Sequence, residues 1–226
     1  MENKHIYKPF LSTLIDSVLY AKYASNSNDE KLKKLLAKAS ILHCCLTIEA
    51  LANNMVQFIN LGSKFSESVD KLDVISKFEM FSLMVKKKNI DRGSSSIQTF
   101  KQLIDLRNNY VHPKIKTVEL NNENGNYTTK LIPNYKQIKI NVNSQKWDVK
   151  DSNECVLALL KGIDEFLLTE LRLEMKSMSC MFLDFLFLDG MQGPIIDTKS
   201  EWVSWSMSEY KYKPKFYCDH ILKRYE

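Results

Sequence analysis

Apolar positions in the first half of the chain recur at helical spacing. Over residues 11–23 they fall at Leu11, Leu14, Ile15, Val18, Leu19 and Ala21, close to the repeat of one buried helix face. The polar run Ser25, Asn26, Ser27, Asn28, Asp29 interrupts it. Residues 30–60 are rich in Ala and Leu and contain neither Gly nor Pro, which predicts one helix of about eight turns at 3.6 residues per turn. A third helix is expected over 70–87, followed by the loop NIDRGSSS. Serines 94–96 then cap a fourth helix with an apolar stripe at Ile97, Phe100, Ile104 and Val111. Pro113 stops it, because proline has no amide to continue the ladder.

Between about 116 and 149 the period changes. The stretch NNENGN is turn chemistry between two β-prone runs, and YKQIKINV alternates with a period of two. A surface β-hairpin or small sheet inserted between helices is expected there. Helix should resume from Ser152 to about Lys176 and continue toward Leu188. In the tail, WVSWSMSEYKYKPKFY alternates aromatic with polar residues, which reads as a strand or an extended arm over the core. The fold class expected is mainly α. A helical domain over residues 1–190 carries the hairpin insertion, and an aromatic C-terminal extension over 191–226 packs on the same domain.

Composition narrows this frame without changing it. With 226 residues, 44% hydrophobic and 26% charged, the chain can bury a core as one domain, and 6 Gly with 5 Pro favour long helices over a turn-rich sandwich. Five cysteines, an odd number without a CxxC pair, argue against a disulfide framework and read mostly as small core residues. The N-terminal MENKHIYKPF lacks the apolar segment of a signal peptide. The apolar run at 178–188 is interrupted by Asp184 and falls short of the roughly 20 residues of a spanning helix. No membrane role and a cytoplasmic location are therefore expected. A net charge of +5 permits an anionic partner without demanding one.

The stretch LRNNYVHPK, at 106–114, concentrates chemistry. Asn108 and His112 stand at i and i+4 on one helix face, while Arg107 lies about 140° round the axis from His112 at 100° per residue. Two features relieve that mismatch: the arginine stem is long, and a residue before proline is pushed out of helical conformation. Arg, Asn and His without a carboxylate pair or metal cluster suit a substrate that brings its own nucleophile. RNA does so: its 2′-hydroxyl attacks the adjacent phosphate once a base takes the proton and a cation stabilises the charge. Histidine supplies the acid or base, arginine matches phosphate oxygens with paired N–H donors, and asparagine orients the imidazole or binds phosphate. Neither a cofactor nor a metal is required.

These residues also carry a family resemblance. Arg107, Asn108, three residues and His112 at a helix end resemble the signature of the HEPN superfamily (higher eukaryotes and prokaryotes nucleotide-binding). ILHCCLTIEALANN resembles that family's second helix, with Glu49 matching its buried acidic residue, and KLDVISKFEMF before an Asp-Arg-Gly loop is similar as well. The resemblance spans roughly 11–114 and resumes at 151–170. With 4 Arg, 17 Asn and 4 His in the chain, the three-residue motif alone arises by chance in about half a percent of cases, so the element order and Glu49 carry part of the weight. Membership implies a bundle of four or five helices that dimerises so that two motifs line one cleft. Many members are metal-independent ribonucleases, often toxins or antiphage effectors, and some are noncatalytic. The tyrosine that certain toxins place two residues after the histidine is replaced here by Lys114.

The expectation is thus a homodimeric, cytoplasmic, metal-independent endoribonuclease of HEPN type. Arg107, Asn108 and His112 are its catalytic set and Glu49 a buried partner of the arginine or asparagine. Lys114 and Lys116 would contact RNA phosphates, and any antitoxin or sensor would be another chain. The rival expectation is a noncatalytic HEPN-like module that binds a nucleotide, RNA or a partner protein. Blander readings stand beside individual residues. Arg107 and His112 can simply finish the helix and pair within the bundle. His43, Cys44 and Cys45 are consecutive, point apart on a helix and fit core packing better than a metal. Lys86, Lys87 and Lys88 suit a solvated helix end, and Trp202 and Trp205 suit a core cover better than a base-stacking platform.

Overall fold

The computed structural model describes residues 4–112, 120–123, 126–129, 137–141, 143–188, 191–194, 201–219 and 221. The chain is mainly helical, and several of its helices begin where the sequence supplies a proline or a capping side chain. Helix α1 (Pro9–Asn26) has proline in its first turn, where no amide partner is lost. Helix α2 (Glu30–Phe58) is capped by Asp29, whose carboxylate accepts from the amides of Lys31 at 2.8 Å and Leu32 at 3.2 Å. The helix expected over 70–87 is α4 (Val74–Phe81) with the π-helical turn after it, and a short helix that was not expected, α3 (Ser63–Asp70), precedes it. Asp73 sets the start of α4: it is extended, and its side chain accepts from the Ser76 amide at 3.1 Å. A π-helical turn, Ser82–Lys86, follows and closes on left-handed Lys87 (φ 53°). Helix α5 (Ser95–Val111) starts at Ser94, as its serine run predicts.

The second half departs further from expectation. Helix α6 (Val149–Asp164) opens with a reciprocal cap in which Asp148 and Asp151 each accept the other's amide at 3.1 Å. It passes through a second π-helical turn, Glu165–Glu170, and ends before left-handed Arg172 (φ 48°). The helix expected to run to Leu188 therefore stops, α7 (Met175–Phe182) takes its place, and Phe185–Leu188 is a strand. That strand pairs antiparallel with Lys4–Ile6 on one side and Met191–Pro194 on the other. Asp184 explains the switch: it accepts from the Lys8 amide at 2.7 Å and the His5 imidazole at 3.2 Å, clamping the N-terminal strand beside it.

The expected hairpin is present, with Leu120–Glu123 antiparallel to Asn126–Thr129. Residues 137–141, expected to be a strand by their alternation, form none. Ile138 and Ile140 are buried as the period of two requires, but the amides of Gln137 and Ile138 bond the side chain of Gln102 on α5, at 3.0 and 3.3 Å, in place of a neighbouring strand. The tail is likewise not the expected arm. Glu201–Glu209 is helix α8, with Trp202 and Ser206 buried at i and i+4, and Lys215–Cys218 is a short helix α9. The ring of Trp202 packs on that of Tyr217, 5.0 Å between centroids.

Helix α2 is the axis of the molecule, and α1, α4, α5, α6 and α7 all pack on it. By length and composition alone it could cross a membrane, and 56% of its most apolar window is buried inside the fold. Phe78 of α4, Phe100 of α5 and Phe166 interlock with centroids 4.8–5.6 Å apart. Gly162 allows this approach, since a Cβ there would lie 3.2 Å from the Phe100 ring. Core residues of the tail, Trp202, Phe216, Tyr217 and Ile221, belong to the same cluster as those of the helical domain.

Asp164, 6% exposed at the end of α6, ties the tail down. It accepts from the Tyr212 hydroxyl and from the amides of Lys215 at 2.9 Å and Phe216 at 2.7 Å. Asp164→Ala strands all three donors, at about 1–3 kcal/mol per unsatisfied buried group. A total near 3 kcal/mol corresponds to a Tm lower by about 6–12 °C in a domain of this size, measurable by calorimetry. Burial also pushes the phenols of Tyr210 and Tyr212 up from 10.0, and for Tyr212 the neighbouring Asp164 carboxylate adds to it. The unfolded chain therefore releases these protons first as pH rises. Thermal stability should hold below pH 10 and fall above it, and fall less steeply in Tyr212→Phe.

Candidate functional site

Helix α5 delivers the motif residues to its exposed C-terminal end. The end is held in place by a stack that sequence reading did not anticipate: Tyr110 lies nearly parallel to Trp147, with centroids 5.8 Å apart and planes 14° from parallel. Trp147 is itself buried at 1% exposure, and its indole N–H donates to the Asn141 carbonyl at 2.7 Å. One turn before the end, Leu106 is fully buried, so Arg107 emerges at the boundary between α5 and α2.

There Arg107 faces two acceptors. Its Nη1 donates to Asn108 Oδ1 at 3.1 Å, and its Nη2 stands 3.8 Å from Glu49 Oε2. The arginine and glutamate side chains are 36% and 45% exposed, so the carboxylate is not the buried residue expected from the sequence. Its place on α2 explains why. Ile48 and Ala50 on either side point into the core, while Glu49 falls on a strip that the packing of α4 and α5 leaves open. The contact is an ion pair beyond hydrogen-bond length, which leaves the guanidinium free to shift toward another anion.

His112 ends the helix. Its backbone, at φ −118° and ψ 68°, has left the helical region while its amide still donates to the Asn108 carbonyl at 2.9 Å. This departure is the one expected of a residue before Pro113. It turns the imidazole away from the position an ideal helix would give it. The side chain is exposed and has no hydrogen-bond partner among the described residues. Arg107 thus meets Asn108 and Glu49 between the end of α5 and the open strip of α2, and His112 closes the same helix end. Lys114 and Lys116 lie outside the described residues.

The other candidates take structural places. His43 Nδ1 donates to the Ala39 carbonyl at 2.9 Å and Cys45 Sγ to the Ile41 carbonyl at 3.2 Å, so the two side chains are engaged with their own helix. Burial pushes the Cys45 thiol well above its ordinary range, despite Arg107 nearby, which makes it a poor nucleophile. Among the described residues, no group of three or more His, Cys, Asp or Glu side chains could hold a metal ion. Lys86 donates to the Arg172 carbonyl at 3.1 Å, and Trp202 is buried with Trp205 packed against the core. One residue near the motif edge escaped sequence reading altogether. Lys77, in the amphipathic helix α4, is 6% exposed and reaches Asn53, one turn beyond Glu49 on α2. Nothing in the sequence ISKFEM distinguishes this lysine from a solvated one.

Comparison with protein-family models, with curated proteins and with solved structures gives no match to this chain.

The geometry separates residues that hold the edge from residues displayed on it. His112→Ala, at an exposed helix end, should change stability by less than about 0.5 kcal/mol. Glu49→Ala should cost at most about 1 kcal/mol, as for other exposed ion pairs. Trp147→Ala should cost about 3–5 kcal/mol and unmoor the end of α5. Thermal melts of the three variants check this order, and a His112→Ala variant that melts as early as Trp147→Ala would make the histidine a structural residue.

Proposed function

We propose that the chain is a HEPN-type, metal-independent endoribonuclease acting as a cytoplasmic homodimer. The observation that carries the reading is the exposed gathering of Arg107, Asn108 and His112 at one helix end, with Glu49 loosely paired to the arginine. A buried, fully bonded version of the same residues would argue for a structural role. Here the imidazole is open to a substrate, and the guanidinium is held by contacts that a phosphate can outcompete through paired charge-assisted bonds.

In the proposed reaction His112 takes the proton of a 2′-hydroxyl, whose oxygen attacks the adjacent phosphorus. Arg107 balances the charge that builds on the phosphoryl oxygens, and the bond to the 5′-oxygen breaks as that oxygen gains a proton. The products are a 2′,3′-cyclic phosphate and a 5′-hydroxyl. Asn108 positions Arg107 through the bond at 3.1 Å. One copy offers one imidazole, whereas attack and departure need a base and an acid on opposite sides of the phosphorus. A twofold dimer that brings in the partner's His112 meets that need, so RNA and a second copy are the partners proposed, with any antitoxin or sensor on a separate chain. A toxin or antiphage role is consistent with this chemistry.

The test is cleavage of RNA by purified protein in the presence of a chelator. Cleavage should persist, leave a 2′,3′-cyclic phosphate or its hydrolysis product, fail on DNA of the same sequence, and drop by at least about 100-fold in His112→Ala. A requirement for added Mg²⁺ with 3′-hydroxyl ends would overturn the mechanism. Binding of RNA without cleavage, unchanged by His112→Ala, would favour a noncatalytic module.

A further inference from the structure

Lys77 is the charged side chain in this region whose environment the proposed reaction leaves unexplained. Only 6% of the residue is exposed, yet among the described residues its ammonium makes one hydrogen bond, 2.8 Å to the neutral Oδ1 of Asn53, and forms no ion pair. A lysine ammonium carries three donors, and a charge so far removed from water is ordinarily matched by a carboxylate. None is supplied here. The stem is buried beneath α4, while Asn53, the group it reaches, is itself exposed. The ammonium therefore ends against Asn53, on the inner side of the open α2 strip.

That strip is the one that carries Glu49. Asn53 follows it at i+4, a spacing that puts Cβ atoms about 5–6 Å apart on one helix face. The order along the edge is then Arg107 against Glu49, and Asn53 with Lys77 one turn on. The charges decide what such an edge can bind. Arg107 and Glu49 cancel, so with a neutral imidazole the motif residues alone offer a phosphodiester no net attraction. Lys77 raises this group of side chains to one net positive charge, and its stem is already ordered by packing, so little side-chain freedom is lost on binding.

We propose that Lys77, presented by Asn53, is a backbone-phosphate subsite of the candidate ribonuclease edge, holding an RNA phosphate next to the one that is cleaved. The inference rests on the ribonuclease reading for its substrate. Lys77 touches no reacting atom in this assignment; it is a binding residue, and its loss acts on affinity.

The probe is an oligoribonucleotide blocked by 2′-O-methyl groups, titrated against the full chain over a series of salt concentrations, beside cleavage kinetics on the unblocked RNA. Lys77→Met keeps the length of the stem and removes the charge. It should weaken binding about tenfold at low salt, the effect of one charge-assisted contact. The slope of log affinity against log salt should become shallower by about 0.7, the value for one phosphate on a single strand. KM should rise by the same factor while kcat changes less than threefold. Asn53→Asp covers the case in which Lys77→Met does not fold, because a carboxylate on the ammonium neutralises it at an exposed position without loss of Tm. It should weaken binding and flatten the salt slope in the same way. Gln57→Glu, a new acid on an exposed α2 residue one turn further, controls for added charge and should leave the slope within 0.3 of wild type, roughly. Wild-type slope and affinity in a folded Lys77→Met, or in Asn53→Asp, overturn the subsite even where wild-type protein cleaves RNA. A wild type that binds the blocked RNA with the Lys77-dependent slope but cleaves nothing keeps the subsite and removes the catalytic reading. Absence of RNA binding by wild type removes both.

Discussion

Everything in this molecule is arranged around the burial of α2. A helix of 29 residues that is apolar on most of its circumference has to be covered on most of its circumference, and five other helices do so. The packing is close: a Cβ at Gly162 of α6 would lie 3.2 Å from the Phe100 ring. What remains open is a narrow strip, and it is there that polar residues can stand. Glu49 and Asn53 occupy it, and the helices that flank it, α5 and α4, each bring a cation: Arg107 from one side and Lys77 from the other. The candidate site is the seam left by a nearly complete wrapping of one helix.

The same constraint explains why the end of α5 is displayed and not absorbed. Its body is fixed by Ile97, Phe100, Leu103 and Leu106, all fully buried, but its last turn extends past the core. There, among the described residues, the large anchor is the flat contact of Tyr110 on Trp147. A last turn held by one aromatic stack, with the histidine beyond it out of helical conformation, presents polar groups to a ligand while the scaffold beneath stays rigid. Precision of this kind comes from elements, and the 3.8 Å contact between Arg107 and Glu49 is longer than a hydrogen-bonded ion pair.

The C-terminal segment serves stability. Asp164 gathers a hydroxyl and two amides of the tail, and Trp202, Phe216 and Ile221 extend the core that α2 begins. Phe10 of α1 packs on Phe182 of α7, and the strand that follows, Phe185–Leu188, pairs with Lys4–Ile6 before α1 and with Met191–Pro194. Among the described residues, neither the tail nor these strands supply a hydrogen bond or ion pair to Arg107, Asn108, His112 or Glu49.

The sequence by itself determined the helices of unbroken periodicity, α1, α2 and α5, and a helix expected from Ser152 that begins at Val149. Local chemistry suffices for these, because a capping carboxylate or hydroxyl and a 3.6-residue apolar repeat act within one turn. It also determined that Arg107, Asn108 and His112 share a helix end, and that Pro113 would turn the histidine out of it. Tertiary structure decided the rest. Asp73 and Asp148 each cap a helix, yet Asp184, with the same side chain, clamps a strand, according to which amides the fold brings to it. Residues 137–141 alternate as a strand should, but their amides met Gln102 of α5 before any neighbouring strand. Trp202 and Ser206 were spaced for a helix within a run that also alternates, and only the core beneath chose between the two periods. The exposure of Glu49 and the buried stem of Lys77 follow from which side of α2 was left uncovered, a property of six helices together that no local window contains.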